Sequence, residues 1–496
     1  MMELPEWLYS SEQGRELDRR AADIPGYEKG HLMQLAGTAS FRSIQALWPG
    51  IRSLAVCCGP GNNGGDGYVV AGLAATHGLQ VYLMGFGEPK TPDAKRAHRY
   101  ALASGVSVMP FHPDVLLGAE VVVDAILGTG FKHPLGGQIL EGIRAINASG
   151  KPVLSLDVPS GLDSDTGEVA KDAVGATATI SFICLNPGIV TGNGPDRCGR
   201  VLFDSLQVPE TVFSGMKPVA GRISAGQVAG ILEKLPRPHH KGDAGHLLVV
   251  GGALGMGGAV CLAGEAALRV GAGLVSVATR PEHASYLNTG CPELMVNGIE
   301  SGPNLSTLLQ RATAVVAGPG LSLGSWGRDL LSRVLDIELP LVVDADGLNI
   351  LSEQPTTAAN WILTPHPGEA ARLLDGSTHE VQKDRLGTVQ RIQERYGGVC
   401  ILKGAGTLVA TPNGSLSVCN RGNPGMASAG MGDVLAGVIG SLLAQGLDLE
   451  EAAKCGTWLH SAAADLAAAD GERGMIARDL FPELRRLADN PAAADE

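Results

Sequence analysis

The hydrophobic pattern of the chain is a repeated alternation of short apolar runs and longer amphipathic segments. The runs are rich in Val, Ile, Leu and Ala, end in Gly, Asp or Pro, and precede segments with a helical apolar period. Examples are SLAVCCGPG, AEVVVDAILG, PVLSLDVPSG, HLLVVGGALG, PLVVDADG and VCILKGAG. Continuous apolar strands that alternate with helices indicate parallel sheets covered on both faces. The pattern predicts an α/β protein with three-layer αβα domains and mainly parallel sheets.

One irregular segment interrupts this alternation near the middle of the chain. Residues 208–224, VPETVFSGMKPVAGRIS, contain two prolines and two glycines and keep no apolar period. The chain of 496 residues is also too long for one core, because single cores stop growing at about 250–300 residues. We therefore predict two domains, residues 1–217 and 218–496.

Charge and cysteine content narrow the class of protein. The formal charge of −13 argues against a nucleic-acid or anionic-membrane partner, because such partners need a basic face. The nine cysteines are scattered without metal-ligand spacing, which predicts buried thiols in a reducing compartment. The N-terminus is polar and acidic from its third residue, unlike a secretory signal. We expect a cytoplasmic homo-oligomer that binds small molecules.

The loop after the first long apolar run combines glycines with polar side chains. GPGNNGGDG, residues 59–67, has the Gly-x-Gly-x-x-Gly spacing of a dinucleotide-binding turn but also carries Asn62, Asn63 and Asp66. A plain dinucleotide site needs an acidic ribose-binding residue about 20 residues later, at the end of the next strand. That region offers only Glu88. The loop is therefore weak evidence for an oxidoreductase. Its polar side chains indicate that it binds a polar group of a ligand.

Two later strand ends in the first half also present oxygen-bearing side chains. VVVDAILGTGF contributes Asp124, and PVLSLDVPSG contributes Asp157 and Ser160. Strand ends of a parallel sheet meet at one edge, where ligands of such sheets bind. Asp157 has a second interpretation, in which it only stabilises the turn that follows its strand.

The most informative stretch of the second half is NPGMASAGMGDVLAG. Its glycines let backbone N–H groups converge, and Asp433 follows them directly at the start of an uncharged helix. A carboxylate beside such an anion-accepting nest is placed to take a proton while phosphate charge builds up. The alternative is that Asp433 is an N-capping residue.

Other strand ends of the second half carry candidate ligand contacts. LTPHPGE places His366 between two prolines, where an isolated histidine is also explained as a turn residue. Asp344 and Asp346 in VVDADGLN form a turn or help order a metal–phosphate network. The chain has no Walker motif, so a nucleoside phosphate must be cradled by the glycine–Asp433 loop.

The motifs of residues 240–487 resemble the ribokinase-like fold, and more narrowly the carbohydrate-kinase-related family of NAD(P)H-hydrate dehydratases. In that family a hydrated nicotinamide nucleotide is dehydrated at the expense of ADP in bacteria and ATP in eukaryotes. The resemblance implies magnesium and ADP as cofactors and Asp433 as the catalytic base. The implied contacts are Ala259, Gly320, His366 and Asp433 for the hydrate, and Lys403, Gly404, Ala405, Gly406, Thr407 and Gly432 for the nucleotide.

The first half resembles another family over residues 10–208. LMQLAG, GPGNNGGDG, DAILGTGF and LDVPSGLDSDTG follow the order of the NAD(P)H-hydrate epimerases, known by their YjeF N-terminal domain of Rossmann-like fold. The resemblance implies that Asp157 is catalytic and that Asn63, Asp124 and Ser160 hold a potassium ion. The implied substrate contacts are Asn62, Asn63, Gly64, Gly65, Asp66, Gly128, Thr129, Gly130, Phe131, Lys132, His133, Pro134 and Asp157.

Two positions depart from that family's usual residues. Asn186 stands where we expect a lysine, and Gly72 replaces a commonly basic residue on the helix after the glycine loop.

Together the two resemblances imply a bifunctional repair enzyme for the hydrates NADHX and NADPHX. The first half interconverts the R and S forms, and the second dehydrates the S form while ADP becomes AMP and phosphate. The pairing is chemically sensible, because hydration at C6 gives two epimers and the dehydratase accepts one. Two alternatives stay open at this point, namely a vitamin or sugar kinase with a Rossmann-like appendage and a nucleotide-sensing or scaffold protein without turnover.

Overall fold

A computed structural model gives the architecture of the chain. The described residues are 4–25, 27, 30–131, 135–169, 171–232, 234, 236–238 and 240–494. They form two compact units, Met1–Gly221 and Arg222–Glu496. The border lies inside the irregular segment 208–224. That each unit is a domain with its own activity stays a prediction.

The first unit is built on a parallel sheet. The strands of this sheet are β2 (Ser53–Cys58), β3 (Gln80–Gly85), β4 (Val108–Pro110), β5 (Val121–Ala125), β6 (Val153–Leu156), β7 (Ala178–Phe182) and β8 (Arg200–Asp204). Two short strands, β1 (Trp7–Leu8) and β9 (Ala220–Arg222), lie outside it. The sheet order is β4-β3-β2-β5-β6-β7-β8, with parallel pairing throughout. In addition, Trp7 and Leu8 pair antiparallel with Gly221 and Ala220.

The helices of the first unit connect these strands. They are α1 (Ser11–Ala22), α2 (His31–Leu47), α3 (Asn62–Thr76), α4 (Pro92–Ala103), α5 (Pro113–Leu117), α6 (Gly137–Ala148), α7 (Pro187–Val190) and α8 (Gly194–Cys198). Every residue of β2 and β5 is buried, which explains why these runs are continuously apolar. The turn from β2 to α3 is tight, because a Cβ on Gly59 would lie 1.8 Å from the carbonyl oxygen of Ile126.

The second unit has a larger, mostly parallel sheet. Its strands are β10 (His246–Val250), β11 (Leu274–Thr279), β12 (Met295–Gly298), β13 (Ala314–Ala317), β14 (Leu341–Val343), β15 (Trp361–Leu363), β16 (Val399–Leu402), β17 (Thr407–Ala410) and β18 (Leu416–Cys419). They are ordered β12-β11-β10-β13-β14-β15-β16-β17-β18. Pairing is parallel up to β16 and antiparallel from β16 to β18. The predicted α/β class with mainly parallel sheets is confirmed.

The helices of the second unit include one that is almost entirely buried. They are α9 (Ala225–Ile231), α10 (Gly257–Arg269), α11 (Ser306–Leu309), α12 (Ser325–Leu335), α13 (Asp346–Glu353), α14 (Pro367–Leu373), α15 (Thr378–Lys383), α16 (Arg385–Tyr396), α17 (Met431–Ala444), α18 (Leu449–Ala467) and α19 (Leu480–Asp489). In α17 small residues permit close packing, since a Cβ on Gly437 would lie 2.0 Å from the Ala263 carbonyl oxygen. This packing fixes the position of the helix start.

The predicted burial of the cysteines is confirmed with one exception. All nine cysteines are free thiols, and all but Cys261 are buried. Over the described part of the chain, no helix is both long and apolar enough to cross a membrane.

The pairing of β1 with β9 leads to a prediction about where the first unit ends. A fragment 1–221 keeps this pairing and the bond from the Val219 N–H to the Leu8 carbonyl oxygen, 2.9 Å, whereas a fragment 1–217 loses them. Each backbone bond contributes about 1 kcal/mol, so fragment 1–221 should be more stable by about 1–3 kcal/mol in urea unfolding.

Fragment 222–496 serves as the matching second half and should fold on its own. Equal unfolding midpoints for 1–217 and 1–221 would show that the β1–β9 pair adds nothing. Failure of both first-half fragments to fold would contradict the independence of the units.

Candidate active sites

A recess of about 650 Å³ lies at the carboxyl ends of β2, β5 and β6 in the first unit. Most of the predicted substrate contacts line it: Asn62, Asn63, Asp66, Gly128, Thr129, Gly130, Phe131 and Asp157. Asp18 of α1, which the sequence did not single out, also lines it. Lys132, His133 and Pro134 lie outside the described residues. The recess thus gathers three separate sequence motifs around one volume.

Gly64 and Gly65 lie in the first turn of α3 and are buried by packing. A Cβ on Gly64 would lie 1.9 Å from the Gly59 carbonyl oxygen, and one on Gly65 would lie 2.4 Å from Cε of Met33. Neither is among the residues that line the recess. Their spacing is explained by close approach of helix and strand, and their role as substrate contacts stays a prediction.

Asp157 has an unusual backbone for an aspartate. Its φ is 68°, in the left-handed region that costs free energy for residues other than glycine and that clusters at functional sites. Its Oδ2 accepts a hydrogen bond from the Thr129 N–H at 3.0 Å, so the carboxylate reaches a different loop from its own turn. Burial raises its pKa, and the Thr129 bonds oppose the shift. The carboxylate therefore lies in the recess with the loop of Thr129 as its hydrogen-bond partner.

The three residues predicted to hold potassium converge beside the recess. Asp124 is fully buried. Its Oδ1 accepts from the Ser160 hydroxyl at 2.5 Å, and its Oδ2 accepts from the Ser160 N–H and the Ser155 hydroxyl, each at 2.8 Å. Burial raises the pKa of Asp124, while these bonds lower it.

Asn63 completes this group and leaves one oxygen unmatched. Its Nδ2 donates to the Leu127 carbonyl oxygen at 2.8 Å, and the Leu127 N–H donates to the Ser160 hydroxyl oxygen at 2.8 Å. Its Oδ1 is buried and accepts no hydrogen bond from any residue that the structure describes. A buried orphan oxygen beside a carboxylate and a hydroxyl fits a hard cation.

The two departures from the epimerase pattern have structural explanations. Asn186 is 2% exposed, lines the recess, and donates through Nδ2 to the Tyr9 carbonyl oxygen at 2.7 Å. It therefore ties the N-terminal segment to the recess. Gly72 faces Tyr100, whose Cε1 would lie 2.5 Å from an added Cβ, so a long basic side chain does not fit there unless Tyr100 moves.

In the second unit, Lys403 at the end of β16 is the centre of a buried charge cluster. Its Nζ donates to Asp344 Oδ1 at 2.8 Å and lies 3.8 Å from Glu369 Oε2. Asp344 Oδ1 also accepts from the Thr364 hydroxyl at 2.7 Å. Burial alone would lower the pKa of Lys403, but Asp344 and Glu369 outweigh it and raise the pKa. Lys403 therefore stays charged where phosphate is expected.

Asp433 does not cap α17. The N-cap residue is Gly430, with φ at 90°, and Asp433 is the third residue of the helix. Burial raises the pKa of Asp433 to about 7, Asp344 adds to the rise, and Lys403 opposes it. The neighbouring Gly432 is close to the charge cluster, since its Cβ position is 3.4 Å from Lys403 Nζ. The capping interpretation fails, and Asp433 remains as an acid that titrates near neutral pH.

His366 does cap a helix. Its Nδ1 accepts from the Gly368 N–H at 2.9 Å, and Glu369 Oε2 accepts from the His366 N–H at 2.8 Å, so the two form a reciprocal capping box. The histidine is half exposed, and burial together with Lys403 lowers its pKa. Its Nε2 lies 3.4 Å from Glu369 Oε1, so both ring nitrogens are near groups of the capping box, and the role of His366 as a ligand contact stays a prediction.

The remaining predicted contacts lie in the loops after β13 and β16, at the start of β17 and in the first turn of α10. Gly320 follows β13 with φ at 56°, and its Cβ position is 3.4 Å from Cβ of Ala259. Asp346 accepts from the Ser322 N–H at 2.7 Å, which makes it part of the turn beside Gly320. Gly404, Ala405 and Gly406 form the loop between β16 and β17, and Thr407 Oγ1 donates to the Gly404 carbonyl oxygen at 3.0 Å.

A residue that the sequence did not reveal holds this nucleotide loop. Arg385, the first residue of α16, is 1% exposed. Its NH2 group donates to the carbonyl oxygens of Leu402, Lys403 and Gly406 at 3.4–3.5 Å. Burial lowers its pKa to about 10. A lone arginine at a helix start has no sequence signal for such a role, whereas Glu369 was detectable from its capping-box spacing.

Two family profiles match the chain, one in each unit. A profile described as YjeF-related protein N-terminus matches residues 29–188. A profile described as NAD(P)H-hydrate dehydratase matches residues 247–486.

Proteins of similar sequence span the whole chain. A bifunctional NAD(P)H-hydrate repair enzyme from Coxiella burnetii is 47% identical over 487 residues, 98% of this chain and 99% of that protein. One from Escherichia coli is 42% identical over 99% of this chain and 96% of its own. Among solved structures, a ribokinase-like superfamily protein from Enterococcus faecalis is 28% identical with a TM-score of 0.51, covering 54% of this chain and 95% of that one.

The hydrogen bonds from Arg385 to the loop between β16 and β17, which we call the clamp, lead to a prediction. Arg385→Met removes the donor from three carbonyl oxygens, and hydrogen bonds to charged groups contribute about 1.5–3 kcal/mol. We expect the free energy of unfolding to fall by about 3 kcal/mol, with weaker ADP binding by titration calorimetry. The matched control is Arg391→Met on the same helix, whose side chain is 53% exposed and should change stability by less than about 1 kcal/mol. Wild-type stability and ADP affinity in Arg385→Met would contradict the clamp.

Proposed function

Because the chain belongs to the family of bifunctional NAD(P)H-hydrate repair enzymes, we propose that its two units carry the two activities of the family separately. Residues 1–221 epimerise the R and S hydrates, and residues 222–496 dehydrate the S form with ADP. The chain is a two-activity enzyme of nicotinamide nucleotide repair, and the dehydratase unit uses a nucleotide. A vitamin or sugar kinase with an appendage is not favoured, because relatives match over both halves.

The observation that carries the proposal is the state of Asp433. It lies at the third position of α17 without serving as the cap, beside Lys403, with a pKa near 7. A base of this pKa is half ionised at neutral pH, which suits general base catalysis. The lysine and the helix start together supply positive potential for phosphate.

The dehydration follows from this arrangement. Asp433 takes the proton of the C6 hydroxyl, whose oxygen attacks the terminal phosphorus of ADP, and AMP leaves. The C6–oxygen bond then breaks as phosphate departs, the ring nitrogen supplies the electron pair, and loss of a C5 proton restores the reduced nicotinamide. Lys403 and the backbone of loop 428–432 stabilise the moving phosphate.

Magnesium fits the second unit through its carboxylates. Mg²⁺ is usually held by one or two carboxylates together with substrate phosphates, and Asp344 and Asp346 stand at neighbouring positions of the rim. When bound, the ion would neutralise phosphate charge during transfer. The choice of ADP over ATP is part of this proposal and rests on the family's bacterial members.

In the first unit we assign the reaction to the recess around Asp157. Asp157 takes the hydroxyl proton, and Asn62, Asn63, Asp66 and the loop 128–131 hold the hydrate. Potassium fits the group of Asn63, Asp124 and Ser160, because Asn63 Oδ1 is buried without a partner among the described residues. When bound, the ion would hold the loops in place. Assembly as a homo-oligomer and a cytoplasmic location stay predictions.

Asp157→Asn tests the first assignment. The amide keeps the shape but removes the base, so epimerisation should fall by about 10²–10⁴-fold. Chiral chromatography of the R and S hydrates measures the rate. Dehydration of pure S hydrate by the same protein is the internal control and should be unchanged. Unchanged epimerisation would refute the role of Asp157.

Asp433→Asn tests the second assignment. The variant should bind ADP almost normally and epimerise normally, but dehydrate about 10²–10⁴-fold more slowly. In the wild type, dehydration should rise as pH rises through about 7, because only ionised Asp433 accepts the proton. A parental dehydration rate in the variant, or dehydration without ADP cleavage, would show that the kinase-like mechanism is wrong.

A further inference from the structure

The recess of the first unit contains an acidic residue that no motif supplied. Asp18 lies on α1, and the recess brings it together with Asp66 of α3 and Asp157 after β6. These three come from distant parts of the chain and face one ligand-sized volume. Asn63 lines the same volume, is 8% exposed, and leaves Oδ1 unpartnered among the described residues. The acids therefore surround a space that is built for a ligand.

The three acids influence one another. Asp18 is accessible to solvent within the recess, where desolvation by the surrounding atoms raises its pKa to about 7 and the charge of Asp157 adds to the rise. Burial raises the pKa of Asp66 well above its usual range, with further contributions from Asp157 and Asp18. Asp157 has a backbone donor that favours its ionised form. The three acids therefore differ in what surrounds them, and among the described residues only Asp157 of the three accepts a backbone hydrogen bond that favours the carboxylate.

The chemistry of epimerisation needs two groups in different protonation states. C6 of the hydrate carries a hydroxyl and is bonded to the ring nitrogen N1. If a base takes the hydroxyl proton, the O–H electrons form a C6=O bond. The C6–N1 electron pair moves to N1, which takes a proton from an acid. Rotation about C5–C6 and reversal of these steps give the other epimer, with all protons returned.

We propose that Asp18 is a second catalytic residue of the first site, giving its proton to N1 of the nicotinamide ring while Asp157 takes the proton of the C6 hydroxyl. The proposal rests on the epimerase function assigned above and deepens it. Both carboxyl groups line the same recess, and one acid and one base complete the proton balance without any further reagent.

Other titratable and charged groups line the recess together with Asp18. Arg15 and Arg19 lie on its own helix and line the recess, and Arg19 is paired with Glu16 at 2.8 Å. Asp93 of α4 and the Cys184 thiol also line it. Burial raises the pKa of Cys184 out of the neutral range. Asp18 therefore combines a place in the recess with titration near pH 7.

The test is the pH dependence of kcat/KM for epimerisation in the full chain. In the wild type the rate should fall tenfold per pH unit above about 7, as Asp18 loses its proton. Asp18→Asn should be about 10²–10⁴-fold slower and should lack this alkaline decline. Asp18→Glu should restore part of the rate and the decline. Asp66→Asn should keep the decline near pH 7, whatever its rate.

Two controls separate the possible failures. Glu12→Gln changes an acid on the same helix that is not among the residues lining the recess, and it should keep the wild-type rate and profile. Dehydration of pure S hydrate reports whether each variant is folded. An alkaline decline that persists in Asp18→Asn, or a wild-type rate in that variant, would overturn the role of Asp18 alone. Absence of epimerisation in the wild type would overturn the epimerase function, and the proposal with it.

Discussion

The burial of carboxylates at the sheet edges is the constraint on which both units depend. A carboxylate removed from water must be given donors or a cation, or it takes up a proton. Asp124 obtains its donors from Ser155 and Ser160, and Asp344 obtains Lys403 and Thr364. In each case the partners come from other strand ends. The carboxylate is therefore satisfied only when neighbouring parallel strands are in register.

This constraint divides the acids of each unit into two kinds. Asp124 and Asp344 accept two or more bonds from protein donors and hold loops together. Asp157 accepts one backbone bond, and Asp433 is not used as a cap, so both keep proton affinity that a substrate can use. Perturbed acids in a cleft are candidates for proton transfer. The acids with several protein donors hold neighbouring strand ends together, and the acids with fewer donors remain the candidates for proton transfer.

The sequence allowed prediction of the parts that follow from pattern and strand order. Alternating apolar strands and helices predicted the α/β sheets, and glycine-rich strand ends predicted where ligands collect. The sequence did not reveal Arg385 or Asp18, because a single charged residue on an amphipathic helix has the pattern of a solvated face. Arg385 is buried and Asp18 lines the recess only because distant segments of the chain pack around them. Such burial depends on contacts between distant segments, which no local spacing encodes.

Some residues had the expected position for an unexpected reason. Gly64 and Gly65 belong to the predicted motif, yet the missing side chains are required by the packing of α3 against the glycine turn and Met33. His366 occupies the predicted rim and also caps α14 through Nδ1. A residue of a sequence motif can therefore stabilise the fold, and its position in the motif alone does not establish a contact with a ligand.

The proposed roles of the two acids give the two activities opposite responses to pH. As a base, Asp433 is competent only when it is ionised, so dehydration is expected to fall as the pH falls below about 7. As an acid, Asp18 is competent only when it is protonated, so epimerisation is expected to fall as the pH rises above about 7. Near pH 7 a part of each acid is in its competent form. Because both units belong to one chain, the two activities are present in equal copy number at every pH, and neither is limited by the amount of the other unit.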